Sequence, residues 1–119
     1  MADLSQVKNA LDSMKKIEHV IDVSLVSRGG LFILGEVPKG VHEETYAAMS
    51  AILLGAAETT SAEMKDRLSH VSVKMTERNV LLLSGGNRYL LTITTDGKEN
   101  CEEVVKTAVQ IISKVDLNL

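Results

Sequence analysis

"AAMSAILLGAAETTSAEM", residues 47 to 64, is the stretch that decides how this chain must pack. It belongs to a helix that we predict from about residue 42 to residue 64, and it carries no charged side chain between Thr45 and Ala57. A helix at the surface of a soluble protein normally shows one polar face to water. More than one side of this helix therefore needs cover, and the rest of the sequence must show what provides it.

The composition is that of one small globular domain. The chain has 119 residues, of which 45% are hydrophobic and 24% are charged, and both values are ordinary for a folded protein. We therefore predict a single domain over residues 1–119. Its net charge of −3 argues against a nucleic-acid partner, because nucleic-acid binding favours a basic surface.

Three features of the sequence favour a cytoplasmic protein with no membrane partner. Cys101 is the single cysteine, so an internal disulfide is excluded and a reducing compartment fits. The first residues lack the basic and apolar segments of a signal peptide. No apolar run reaches the roughly 18 residues that a membrane span needs.

Hydrophobic periodicity and turn signals predict eight elements. The first is a helix over 3–17 with Asp3 as its N-cap, and it is followed by a strand over 20–27 with Ile21, Val23 and Leu25 on one face. A turn at 28–30 leads to a second strand over 31–37, and then comes the middle helix. An alternating strand over 67–76, the two strands of a hairpin over 79–95 and a last helix capped by Asn100 complete the eight. The order α-β-β-α-β-β-β-α predicts an α+β domain with a five-stranded antiparallel sheet. We expect the terminal helices on one face of this sheet and the middle helix on the other.

Three stripes run along the middle helix at helical spacing. The large stripe has the bulk to pack on the sheet and consists of Tyr46, Met49, Leu53 and Ala57. The small stripe allows another backbone to come close and consists of Ala48, Ile52, Gly55, Thr59 and Ala62. The third stripe contains Ala47, Ala51, Leu54 and Glu58. If the large stripe packs on the sheet, no element of this domain is left to cover the other two.

The cover is predicted to come from a second copy of the chain. The small stripe is the expected helix contact of this homodimer. Strand 67–76 alternates strictly and carries Lys74, which suits a sheet edge that a second strand extends, so Val71 and Val73 join the predicted interface. The alternative is that alanine is simply the best helix former and leaves little apolar surface to cover.

The motifs "VSLVSRGGLFI" (23–33) and "AAMSAILLGAAE" (47–58) resemble the roadblock/dynein light-chain family. The similarity is greatest to its prokaryotic branch, the MglB-like regulators of Ras-like GTPases. This resemblance implies a sheet between two helical layers, and a dimer formed by pairing the middle helices and joining the third strands. It also implies a small GTPase partner, which we expect at the exposed shoulders of the paired helices, on Glu43, Ala47, Ala51 and Glu58.

No motif in the sequence predicts catalysis, a cofactor or a metal site. Residues 30–35 have the glycine spacing of a phosphate-binding loop, but Glu36 stands where the lysine should be. The three histidines lie far apart along the chain without ligand spacing. Cys101 lies at the start of the last helix, yet no sequence signature supplies a base that would activate its thiol. Arg28 is expected to be solvated in the turn at 28–30.

The leading hypothesis is therefore a non-enzymatic homodimeric regulator or scaffold of a small Ras-like GTPase, which presents residues 43–62 of both copies. The alternative is a structural adaptor in a larger assembly with no GTPase partner. A small-molecule sensor of similar architecture is less well supported, because few polar residues converge on one pocket.

Overall fold

The computed structural model describes residues 4–117, and it contains the eight predicted elements in the predicted order. They are α1 (Leu4–Lys15), β1 (Val20–Ser27), β2 (Phe32–Gly35), α2 (Glu43–Glu63), β3 (Val71–Lys74), β4 (Asn79–Ser84), β5 (Tyr89–Thr95) and α3 (Cys101–Ile112). The predicted cap of α1, Asp3, lies outside the described residues. The predicted cap of α3 is confirmed, because the Asn100 side chain accepts a hydrogen bond from the backbone N–H of Glu103.

The five strands form one sheet in the order β2-β1-β5-β4-β3, and every neighbouring pair is antiparallel. This confirms the predicted sheet. The central strands β4 and β5 are nearly continuous in buried residues, as strands covered on both faces should be. β2 and β3 lie at the two edges of the sheet.

Helices cover both faces of the sheet in the predicted arrangement. α1 and α3 pack on one face and form the larger core, which includes Val7, Leu11, Met14, Val23, Leu25, Leu81, Leu91, Ile93, Val104 and Ala108. α2 covers the other face with a smaller cluster, formed by Ala47 and Leu54 on Val26, Leu82 and Leu90. The two faces therefore differ in how much apolar side chain holds the helices in place.

Hydroxyl groups occupy much of the sheet surface beneath α2. Ser24 and Thr92 are buried there and share a hydrogen bond across β1 and β5. The Tyr46 hydroxyl, on the first turn of α2, lies 3.1 Å from Thr94 Oγ1 at hydrogen-bond distance. Because buried hydroxyls need partners, the contact of Tyr46 with Thr94 helps to set where α2 sits.

Irregular pairing shortens the sheet at its β2 edge. Leu25 pairs with Leu34 and Val26 pairs with Phe32, so Ile33 is an extra residue in a bulge. β2 ends at Gly35, two residues before the predicted end at residue 37. Gly35 then turns the chain at a φ of +110°. A Cβ added at Gly35 would lie 2.7 Å from Ser24 Cα and closer still to the Val23 carbonyl oxygen, so only glycine fits.

A second bulge overturns part of the pattern predicted for β1. Val20 pairs with Thr95 and Asp22 with Thr94, which leaves Ile21 unpaired between them. Val23 and Leu25 face the larger core as predicted, but Ile21 is 45% exposed. Strict alternation along a strand fails here because the extra residue shifts the phase.

Gly35→Ala should lower the free energy of unfolding by about 2 kcal/mol or more, because the added methyl combines a backbone clash with a strained φ. Gly40→Ala is the matched control, since Gly40 also has a positive φ but has no atom within 4 Å of an added Cβ. Urea unfolding of both variants measures the difference. An equal loss in the two would show that the crowding at Gly35 is relieved without cost.

The pair His19–Asp96 joins the α1–β1 loop to the loop after β5, with 2.9 Å between Nδ1 and Oδ2. The hydrogen bond to Asp96 raises the pKa of His19, and the same bond lowers the pKa of Asp96. The contribution of His19 to the stability of the fold is complete below its ordinary pKa of 6.5. It is lost as the pH rises through the raised pKa that His19 has in the folded state. The contribution of Asp96 to the stability of the fold is present above its ordinary pKa of 3.8. It is lost as the pH falls through the lowered pKa of the folded state.

The pair should therefore stabilise the fold most between pH 3.8 and pH 6.5. His19→Asn removes the titrating group while tolerating the φ of +74° at this position. We expect the free energy of unfolding of this variant to fall less between pH 6 and pH 8 than that of the unmodified protein. Identical pH profiles from denaturant unfolding would contradict a role for the pair.

Candidate protein-interaction surface

The outer face of α2 is the most apolar exposed part of a helix in the described chain. Met49 is 50% exposed, Ile52 is 60% exposed and Leu53 is 45% exposed. These side chains lie within the stretch that has no charged residue, and α2 contains no basic residue from Glu43 to Glu63. Three large apolar side chains in one exposed patch are typical of a surface that contacts another protein.

The helix is rotated relative to the prediction. The large stripe was expected on the sheet, but the residues that pack there belong to the third stripe, with Ala47 and Leu54 fully buried and Ser50 beside them. Small side chains at Ala47 and Ser50 let α2 approach the hydroxyl-lined surface closely, which leaves no room for Met49 and Leu53 beneath it. The large stripe is displaced to one flank of the helix.

This rotation corrects two of the predicted partner contacts. Ala47 is fully buried and Ala51 is half-buried against the same cluster, so both serve the fold and do not face a partner. Glu43 is exposed in the first turn of α2, and its predicted contact with a partner stays a prediction.

The predicted homodimer residues fall in two separate regions. Ala48 sits against the β1–β2 turn, where a Cβ added at Gly30 would lie 3.1 Å from Ala48 Cα. Gly55 follows on the same flank with open space beside it, and Ile52, Thr59 and Ala62 are exposed. Val71 and Val73 lie on β3, beyond the opposite flank of α2. The small stripe and the edge strand therefore face different sides of the helix.

An apolar groove runs along the flank of α2 that faces β3. We call it the α2–β3 groove. It has a volume of about 280 Å³ and is lined by Pro38, Val41, Tyr46, Met49, Ser50, Leu53, Val73, Met75, Arg78 and Val80. Arg78 is the one charged residue among these. Met49 and Leu53, expected on the sheet, form the helix wall of this groove.

The two edges of the sheet differ in their ability to accept another strand. β3 pairs with β4 through four consecutive residues without a register shift. Although it is shorter than the predicted 67–76, it is a regular edge. β2 carries the bulge at Ile33, and a bulge in an edge strand disfavours further pairing. The edge next to the α2–β3 groove is thus the one suited to extension.

Arg28 ties α2 to two turns, contrary to the expectation that it would be solvated. Its guanidinium donates hydrogen bonds to the Glu58 carboxylate, to Ser84 Oγ at 2.9 Å and to the Gly86 carbonyl oxygen at 2.9 Å. Glu58 was predicted to contact a partner, but this internal ion pair already uses it. No local pattern reveals such a pair, because 30 residues separate Arg28 from Glu58.

A histidine lies beside the single cysteine, which the sequence did not suggest. His70 Nε2 is 3.2 Å from Cys101 Sγ, and 31 residues separate the two. Burial raises the pKa of the Cys101 thiol, and the charges of Glu99 and Glu102 raise it further. The thiol is therefore held protonated and hydrogen-bonded, the opposite of what a nucleophile requires.

Within residues 4–117, no three side chains of His, Cys, Asp or Glu come together as metal ligands would. No helix of that range is long and apolar enough to cross a membrane.

Comparison with known proteins agrees with this architecture. An uncharacterized protein of Methanocaldococcus jannaschii, MJ0310, is 28% identical over 95 residues, which are 79% of this chain and 82% of that protein. Myxococcus xanthus MglB has a similar structure, with a TM-score of 0.80 over 94% of this chain and 85% of that chain at 14% identity. A structure described as MglB with tetrameric arrangement gives a TM-score of 0.70 at 14% identity, over 93% of this chain and 90% of that chain.

The two MglB structures show the shared fold, and the family follows from the sequence. The model of the Roadblock/LC7 domain matches residues 6–95, which is well over half of the chain. This confirms the resemblance that the β1–β2 and α2 motifs indicated. The chain therefore belongs to the Roadblock/LC7 family.

Proposed function

We propose that the protein is a homodimer whose paired α2 helices bind a small Ras-like GTPase and bias its nucleotide state, without catalysing a reaction themselves. One observation carries this proposal: the exposed, uncharged face of α2 lies beside the regular open edge of β3. The β3 edge and the α2–β3 groove can both be covered by one second copy. Adding a strand at an edge supplies backbone hydrogen bonds, and the groove supplies apolar contact.

The apolar contribution to such a dimer is substantial. Met49, Ile52 and Leu53 each leave about half of their surface exposed. Covering the exposed half of a large apolar side chain contributes about 1 kcal/mol. Six such side chains in two copies therefore contribute roughly 6 kcal/mol, before the cost of association is subtracted.

The rotation of α2 changes which residues we assign to the dimer. Ile52, Val71 and Val73 stay in the proposed interface, and Met49 and Leu53 join them from the groove. Ala48, Gly55, Thr59 and Ala62 face away from β3. In a dimer joined through β3 this flank remains uncovered, and we assign it, together with Glu43, to the GTPase.

The GTPase part of the proposal rests on the resemblance to the MglB-like branch of the family. Regulation would act through a difference in affinity for the GDP-bound and GTP-bound partner, since a ligand shifts an equilibrium only by its differential affinity. A tenfold preference corresponds to about 1.4 kcal/mol. No reacting group on this chain is needed for that role.

The dimer is tested by Ile52→Glu. This position is 60% exposed, so a charge there should leave the fold intact but should be buried and unpaired in the interface. We expect the variant to be a monomer of 12.9 kDa in sedimentation equilibrium, where the unmodified protein has twice that mass. Val109→Glu is the control, because Val109 is a similarly exposed residue of α3 on the other side of the sheet. A monomeric unmodified protein at tens of micromolar would refute the dimer.

The assignment of the two flanks is tested by Gly55→Leu. A Cβ at Gly55 meets no atom within 4 Å, so the larger side chain should not disturb the fold. We expect the variant to stay dimeric and to bind the GTPase at least tenfold more weakly, with Gly55→Ala nearly unchanged. A monomeric Gly55→Leu variant would show instead that the small stripe is the dimer contact, as the sequence suggested.

GTPase binding is measured by titrating the dimer with small GTPases of the same cell, loaded with GDP or with a GTP analogue. One nucleotide state should bind more tightly than the other. Glu43→Lys should slow association, because exposed charges act mainly on the rate of encounter. If no GTPase binds in either state, the structural adaptor becomes the better account.

A further inference from the structure

The two ends of α2 pose an electrostatic problem for any dimer that pairs this helix. Glu43 and Glu44 lie in its first turn, Glu63 is its last residue, and no basic residue lies between them. Two such helices placed side by side in antiparallel orientation bring the acidic first turn of one near the acidic last turn of the other. A cation close to this contact would make the charges of the two helices complementary.

Arg78 is placed to supply that cation. It lines the α2–β3 groove next to Tyr46 and Met75, at the end near the first turn of α2. No ion pair joins Arg78 to another residue of the described chain. Its charge does act on Asp22, but the two do not pair. Arg78 is thus a cation at the mouth of an otherwise uncharged groove, and a carboxylate from a partner can pair with it there.

The direction of β3 relative to α2 indicates which carboxylate this is. Val73 and Met75 line the groove with Tyr46 and Met49, and the short segment 64–70 joins the end of α2 to the start of β3. α2 therefore runs antiparallel to β3. With a rise of about 1.5 Å per helical residue and about 3.3 Å per strand residue, the middle of β3 lies level with α2 near Ile52.

A twofold axis through the middle of two joined β3 strands consequently passes close to Ile52 of both copies. The N-terminal half of each α2 then faces the C-terminal half of the other. The last turn of the second copy's α2 arrives at the groove end where Arg78 lies.

We propose that Arg78 of each copy pairs with Glu63 of the second copy, and that these two symmetric ion pairs close the α2–β3 grooves and fix the antiparallel arrangement of the helices. This inference rests on the proposed homodimer. It makes the groove a specific site for residues 56–63 of another copy of this chain, with an apolar interior and a charged rim.

The test uses charge reversal in trans. Arg78→Glu and Glu63→Arg should each weaken the dimer at least tenfold in sedimentation equilibrium, because each places like charges at both grooves. An equimolar mixture of these two variants should form a heterodimer about as tight as the unmodified dimer, since every groove then holds opposite charges. The double variant should recover likewise. Lys106→Glu, a charge reversal on an exposed residue of α3, is the control and should change nothing.

The outcomes distinguish a failure of this ion pair from a failure of the proposed dimer. If the single variants dimerise like the unmodified protein, the ion pair is refuted and the dimer stands. If the single variants weaken but the mixture does not recover, Arg78 and Glu63 do not face each other and the register is wrong. A monomeric unmodified protein removes the dimer and this inference together.

Discussion

α2 contacts the sheet through two of its smallest side chains, Ala47 and Ser50, and that close approach decides where the rest of the helix points. Only Leu54 adds a large apolar side chain to the contact that the described residues show on this face of α2. The hydroxyl pair Tyr46–Thr94 joins α2 to the sheet, and the pair Ser24–Thr92 joins β1 to β5 beneath the helix. Because so little of the helix surface is used internally, its remaining apolar side chains stay exposed, and the proposed function follows from that excess.

The larger core on the opposite face explains why the domain can leave α2 this exposed. α1 and α3 bury a continuous apolar layer on that face, including Met14, Leu81, Leu91 and Ile93. This layer supplies the main hydrophobic stabilisation of the fold. The α2 face is then free to be shaped for contact, with polar ties such as Arg28–Glu58 anchoring the helix near its C-terminal end.

Element order, the five-stranded antiparallel sheet and the layer arrangement could be predicted from the sequence, because alternation, glycine turns and helix caps are local signals. The rotation of α2 could not. Its three stripes are all uncharged over the central residues, so no polar face marks the side that meets water. Bulk then suggested that Met49 and Leu53 pack on the sheet, whereas the hydroxyl-lined surface requires Ala47 and Ser50. The contacts of Arg28 with Glu58 and of His70 with Cys101 escaped prediction because only the folded chain brings them together.

The central claim is that a second copy covers the β3 edge and the adjoining face of α2. The most direct measurement is backbone amide exchange of the unmodified protein over a range of concentrations. The account predicts that protection along residues 71–74 rises with concentration, while residues 32–35 of the bulged β2 edge exchange at an unchanged rate. Fast exchange along residues 71–74 at every concentration, with a constant molecular mass, would contradict it.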